Sequence, residues 1–246
     1  DRSELRNAMW KLVGTRLVAA VVCGITLIVM LSWKFGLHGM TSLLPGLPSM
    51  KFNTAFGLCL LGIGMMCITI YGRSSQTIRR LNHAATACAL LAILISLLTV
   101  IEMNTKATLG IDEFFCNDDI SRRNIEAKTP GRMSPSTAAA IPLLGITLVL
   151  YSFKHVRGFK TACTFTVAIA ISIGFAAGLS ILISSKCGSS FAFFSSMALH
   201  TSWCIVLLGL SFLITRNALE DLAGHETMRV SKQEGTWLIV AAMVVF

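Results

Sequence analysis

The stretch MSPSTAAAIPLLG, Met133–Gly145, decides how the chain is read, because two others share its frame. MKFNTAFGLCLLG runs from Met50 to Gly62 and MALHTSWCIVLLG from Met197 to Gly209. In each, Met is followed four positions later by Thr (Thr54, Thr137, Thr201), then by a small residue (Ala55, Ala138, Ser202), and Leu-Leu-Gly closes the frame. Three copies at one internal spacing mark a repeat.

The 246 residues are 54% hydrophobic and 13% charged, and their mean hydropathy is +0.72. Soluble chains carry roughly 25% charged residues, so this is the composition of an integral membrane protein. A helix of about 20 apolar residues crosses the hydrocarbon. Runs suited to this lie at Val13–Trp33, Thr54–Tyr71, His83–Ile101, Thr137–Phe153, Thr161–Ser184 and Leu199–Ile214, and a seventh starts at Trp237. The expected fold is all-α, a polytopic membrane bundle of about seven transmembrane helices with three pseudo-repeated hairpins, about 13–71, 83–153 and 161–214. Residues 1–236 then form one module, with a cytoplasmic linker at 215–236, and 237–246 begin a truncated seventh helix. The short last run and the initial Asp1 suggest a fragment. The first run is too long for a signal-peptide core and lacks a small-residue cleavage site.

Lys and Arg in short loops set orientation. Arg2, Arg6, Lys11 and Arg16, then Arg73, Arg79 and Arg80, then Lys154, Arg157 and Lys160 all fall on one side, and Arg216, Arg229 and Lys232 join them. That side is expected to be the cytoplasm, which makes the amino terminus cytoplasmic. The opposite short loops have Lys34, Lys51 and Lys186, and the long Glu102–Ser136 loop mixes both signs. The net charge of +9 is therefore a topology signal. No basic patch interleaved with aromatics supports a nucleic-acid partner.

With this topology each motif stands where an outer loop turns back into the second, fourth or sixth helix. Ser134-Pro135 reads as an N-cap followed by proline at the first turn. Asn53 is the matching cap of the second helix, and His200 stands there in the third copy. Ala55 and Gly62, Ala138 and Gly145, and Ser202 and Gly209 are each seven apart, which returns to nearly the same helix face. Small residues at that spacing let membrane helices approach closely. The bland reading is a helix start plus a packing groove. The sharper one adds an outer vestibule at three helix N-termini, lined by Asn53, Thr54, Ser136, Thr137, His200 and Thr201, where exposed N–H groups favour an anion or polar head. The apolar outer loops, with Leu43, Leu44, Leu47, Phe114, Phe115, Phe191, Phe193 and Phe194, either pack at the bilayer surface or cover an apolar ligand.

Of eight cysteines, Cys116 and Cys187 are the two in outer loops. In an oxidising compartment they can form a disulfide between the second hairpin and the third. The histidines offer no pair at one depth for a haem. Met50, Met133, Met197, Cys116, Cys187 and His200 lack the spacing of a metal site, so neither metal nor cofactor is expected. There is no P-loop, HExxH or GxSxG. No ionisable residue sits mid-span either, Arg16 and Glu102 being at helix ends, which argues against proton- or ion-coupled transport. Asn217–Leu222 reads as a helical continuation past the sixth span, with Gly224 a possible stop.

LLPGLPSMKFNTAFGLCLLGIG, PGRMSPSTAAAIPLLGITLVL and MALHTSWCIVLLGLSFLI together resemble repeated elements in the amino-terminal, multi-pass membrane regions of bacterial sensor histidine kinases and diguanylate cyclases, often followed by CHASE or PAS modules. The resemblance runs from about Trp33 to Ile214. Ser202 and Trp203 depart from the usual Ala and Leu-like pair after Thr, and the acidic loop is long. The resemblance implies a non-enzymatic sensory or anchoring module in the bacterial inner membrane. It would sense a ligand or membrane state at its periplasmic face and relay it to output domains. The partners implied are membrane lipid, an apolar small molecule such as a quinone, and a homodimer or larger complex. The alternatives are a small permease or lipid and quinone carrier, or a structural subunit of a membrane complex.

Overall fold

The computed structural model describes residues 2–42, 47–70, 74–105, 110, 116, 131–151, 158–184, 194 and 196–245. Among them there are six α-helices and no strand: α1 Arg2–Lys34, α2 Phe52–Ile68, α3 Ser75–Thr105, α4 Pro135–Leu150, α5 Phe159–Ser184 and α6 Leu199–Val245, with a 3-10 turn at His38–Met40. Among the described residues four stretches are long and apolar enough to cross a membrane: Ser3–Lys34, Ser75–Thr105, Phe159–Ile181 and Leu199–Ala223. The helices α2 and α4 are apolar but shorter, with 17 and 16 residues.

The helices alternate between two layers. α2, α4 and α6 touch one another at the centre, α1 lies against α2 and α6, α3 against α2 and α4, and α5 against α4 and α6. The contact of α1 with α6 closes the ring. Composition explains the layering. In α2 the buried positions run nearly all round the helix, from Asn53 to Ile68, as expected of a helix wrapped by protein. The peripheral helices bury narrow stripes of small residues, such as Ala85, Ala89 and Ala92, and turn Leu90, Leu94 and Leu97 outward. In lipid an outward leucine costs nothing, and close contact at small residues holds helices together.

Burial recurs at fixed offsets. In the central helices, buried Leu58, Leu61 and Met65 correspond to Ile141, Leu144 and Leu148 and to Ile205, Leu208 and Phe212. In the peripheral helices, buried Ala19, Val22 and Val29 correspond to Ala89, Ala92 and Thr99 and to Val167, Ala170 and Ala177.

The sixth apolar run, the expected linker and the start of the expected seventh helix lie on one continuous helix of 47 residues, so the described residues make six helices rather than seven. The helix continues through Asn217–Leu222 as expected, and Gly224 does not stop it. Glycine costs a helix only about 1 kcal/mol relative to alanine, while Leu219, Glu220, Leu222 and Ala223 favour the helix, and no proline follows Pro142. At about 1.5 Å per residue the rod is roughly 70 Å long.

α1 stays with α6 at the end of the bundle remote from the motifs. Ala8, Leu12, Ala218 and Leu222 form a small separate apolar cluster. Thr215 donates to Thr15 at 3.1 Å, and Lys11 pairs with Asp221 at 3.0 Å across the exposed edge. Arg16 anchors the end of α2, donating to the Thr69 carbonyl at 2.5 Å, where a cation meets the negative end of a helix.

Candidate functional site

The three motifs occupy the same helical positions. Lys51, Ser134 and Ala198 each accept the first intrahelical bond, from Ala55, Ala138 and Ser202 at 3.0, 2.9 and 3.1 Å. Asn53, Ser136 and His200 are thus second residues of their helices, and Thr54, Thr137 and Thr201 third.

The caps differ. At α4, Ser134 takes the extended backbone of an N-cap, with Pro135 next, and its hydroxyl accepts from the Thr137 N–H. The same oxygen lies 2.7 Å from the Thr137 hydroxyl. At α2 the N-cap is Lys51, with φ −77° and ψ 155° and no side-chain cap bond, so Asn53 is not the cap expected of it. The helix starts two residues sooner because Lys51 already holds the extended geometry, which carries Asn53 inside. At α6, Ala198 stands in the capping place and has no side-chain acceptor.

All six polar motif residues lie inside the protein rather than on an open surface. Asn53, Thr54, Ser136, Thr137 and Thr201 are at most 3% exposed, and His200 is 8% exposed. Among the described residues neither ring nitrogen of His200 has a hydrogen-bond partner, nor does the Thr201 hydroxyl. Leaving a buried polar group unpaired costs about 1–3 kcal/mol. The amino terminus of α6 therefore carries two side chains that are unsatisfied among the described residues. The adjoining methionines Met50, Met133 and Met197 are fully buried beside the three helix starts. At the first of these, Trp33 donates to the Met50 carbonyl at 2.7 Å and Lys51 lies over the Trp33 ring.

The small residues of the motif face inward too: Ala55, Ala138 and Ser202 are at most 2% exposed. Each Leu-Leu-Gly glycine lies against the helix that precedes it. A Cβ at Gly62 would stand 2.6 Å from Cys23 Sγ and 3.2 Å from the Ala19 carbonyl oxygen. One at Gly145 would stand 2.6 Å from Ile93 Cγ1 and 3.3 Å from the Ala89 oxygen, and one at Gly209 2.5 Å from Ile171 Cγ1. The surrounding residues correspond, since Ala19, Ala89 and Val167 each precede Cys23, Ile93 and Ile171 by four.

Cys187 lies outside the described residues, so its pairing with Cys116 has no geometry to report. The Cys116 thiol donates to the Trp33 carbonyl at 3.3 Å, which ties the loop after α3 to the end of α1. Phe194 packs half-buried against the core. Among the described residues no group of three or more His, Cys, Asp or Glu could hold a metal ion.

A line of polar residues on the peripheral helices escaped the sequence reading. Ser32, Glu102 and Ser180 are all buried at corresponding places near the motif end, and Thr26 and Ser96 are buried one to two turns below. The Ser96 hydroxyl has no partner. The spacing that relates them, 70 residues and then 78, is the one that relates Ala19, Ala89 and Val167. No short motif advertises it.

No family model, curated protein or solved structure matches this chain. The functional reading rests on the residues and their geometry.

Proposed function

We propose that the chain is a membrane-embedded sensory module of a bacterial signal-transduction protein, built from three copies of one helical hairpin. The bundle sits in the inner membrane with its amino terminus in the cytoplasm, and the polar motif end faces the periplasm. It detects a ligand or a membrane state there and passes the change to output domains that follow Phe246. No residue is assigned a catalytic role.

The continuity of α6 carries this reading. A single helix starts at the buried, unsatisfied His200 and Thr201 and runs about 70 Å at the usual rise of about 1.5 Å per residue. A shift that satisfies those groups has a rigid element through which to reach the far end. Biasing a two-state packing of this kind requires a ligand that interacts differently with the two states. The likeness of the motifs to sensor membrane regions supports the same reading, and association as a homodimer fits it.

The deciding experiment uses the full-length chain in its native membrane, with phosphoryl transfer or cyclic dinucleotide synthesis as readout. Gly224→Pro breaks the rod after Leu222, the last described residue of the small cluster with α1, and His200→Ala alters its start. Both variants should change output while thermal unfolding of the bundle stays close to wild type. Wild-type output from both variants, or a reading frame that ends without an output module, would overturn the sensor reading.

One observation favours a lipid or quinone carrier as the second reading. A groove of about 230 Å³ opens between α5 and α6, lined by Gly174, Phe175, Gly178, Leu179, Ser202 and Trp203 among others. Stoichiometric lipid or quinone retained through purification, without any linked output module, would favour the carrier.

A further inference from the structure

Cys23 of α1 and Cys59 of α2 face each other across the contact between these helices. The Cys23 thiol donates to the Cys59 carbonyl at 3.7 Å. Thr26, one turn along α1, turns its hydroxyl back to the Val22 and Cys23 carbonyls at 2.9 and 3.0 Å, which leaves the Cys23 thiol to face α2. Gly62 makes the approach possible, because a Cβ there would lie 2.6 Å from Cys23 Sγ and 3.8 Å from the Cys23 backbone nitrogen. Backbones this near bring facing residues toward the Cα separation of about 4.4–6.8 Å that a disulfide needs. Among the described residues, no other two cysteines share a hydrogen bond. Packing does not require sulfur there, since Ile93 and Ile171 fill the corresponding places against Gly145 and Gly209.

We propose that Cys23 and Cys59 form a reversible dithiol–disulfide pair whose electron acceptor is a membrane-dissolved quinone. Two S–H bonds break and one S–S bond forms. Two electrons and two protons pass to the quinone, which leaves as quinol, so atoms and charge balance. The location selects the oxidant. Cys59 is in the middle of the apolar α2, where a charged aqueous disulfide such as oxidised glutathione cannot follow without a large desolvation cost. A quinone dissolves in the hydrocarbon that covers the outward face of α1, meets the pair from the side of Cys23, which is 9% exposed against 6% for Cys59, and accepts electrons together with protons, which leaves no net charge at that depth. The bond would fasten α1 to α2 in the first hairpin alone. This inference goes beyond the sensor reading and does not depend on it.

The test uses the whole chain in lipid nanodiscs, with decylubiquinone as the probe. After incubation the protein is denatured, alkylated and digested. The expected result is a peptide pair linked through Cys23 and Cys59, one quinol formed per linked chain, and reversal by dithiothreitol. Cys204 should remain alkylatable. Cys23→Ala and Cys59→Ser should each abolish both linkage and quinol formation, whereas Cys88→Ser should retain them. Absence of the linked pair with quinone overturns the proposal, including the case in which diamide links the two residues and quinone does not. Quinol formed equally by folded Cys23→Ala protein overturns it too.

Discussion

The Thr215 hydroxyl donates to Thr15 at 3.1 Å and joins two helices 200 residues apart in sequence. Thr15 in turn donates to the Leu12 carbonyl at 3.1 Å. This buried pair sits at the seam where α6 returns to α1, between the main core and the small cluster of Ala8, Leu12, Ala218 and Leu222. The seam depends on close packing more than on charge. Lys11 and Asp221 have side chains 46% and 45% exposed, and exposed ion pairs contribute about 0–1 kcal/mol. Asp221→Asn should therefore leave thermal unfolding in detergent nearly unchanged. Ala218→Leu forces three heavy atoms into a fully buried place and should cost about 1–3 kcal/mol. A larger loss from Asp221→Asn than from Ala218→Leu would contradict this ordering.

The motif glycines give a graded prediction. At Gly62 and Gly145 an added Cβ meets both a side chain and a carbonyl oxygen of the preceding helix, while at Gly209 the nearby atoms are side-chain carbons of Ile171 and Val167. Backbone cannot retreat as a side chain can. Alanine at Gly62 or Gly145 should cost about 1–3 kcal/mol and at Gly209 less. Ile171→Val should recover part of the loss at Gly209. Unfolding temperatures of the variants in one detergent measure the order, and leucine at each position should amplify it. Three Gly→Leu variants that all unfold like wild type would remove the proposed contacts.

These contrasts mark what could be read in the sequence. Gly62, Gly145 and Gly209 were visible because each sits in a short frame shared by three segments, and Ser134-Pro135 was visible because a cap has a local signature. The pairing of α1 with α6 was not, since nothing near Thr15 indicates that its partner is Thr215. Buried stripes on the peripheral helices were hidden as well. Their repeat consists of small and polar residues, such as Thr26 and Ser96, spread among outward leucines rather than of an apolar face against a polar one. The helical continuation at Asn217–Leu222 is legible from its residues, whereas the joining of the sixth and seventh apolar runs in one helix is not, because a helix that becomes polar between Thr215 and Glu234 need not end there. Asn53 invites reading as the cap because asparagine is a common one, while the cap lies two positions earlier, at Lys51.

Orientation gives a prediction independent of packing. Under the proposed topology, which follows the Lys and Arg asymmetry, Arg157 lies on the cytoplasmic side and Lys106 on the periplasmic side. Single cysteines at these positions, in an otherwise cysteine-free chain, should react differently with an impermeant maleimide in intact cells. Labelling is expected at position 106 and not at 157. The reverse pattern would invert the topology and move His200 to the cytoplasmic face.

The third residues of the central helices make the last prediction, because one chemical change should act with opposite signs at matched positions. The Thr137 hydroxyl lies 2.7 Å from Ser134 Oγ, which also accepts the Thr137 N–H at 3.3 Å. Thr137→Val keeps the backbone cap and loses the side-chain bond, so it should destabilise by about 1 kcal/mol. The Thr201 hydroxyl is equally buried and has no partner. Thr201→Val removes an unsatisfied group without opening a cavity and should be neutral or stabilising by about 1 kcal/mol. His200→Leu should behave like Thr201→Val for the same reason. If the unsatisfied groups are kept for detection, these stabilised variants should also be the ones whose full-length protein no longer responds, whereas Thr137→Val should respond normally. Paired measurement of unfolding temperature and output checks both halves. Destabilisation by Thr201→Val as large as by Thr137→Val would mean that the hydroxyl is satisfied in the membrane, and the argument for a poised site at the start of α6 would fail.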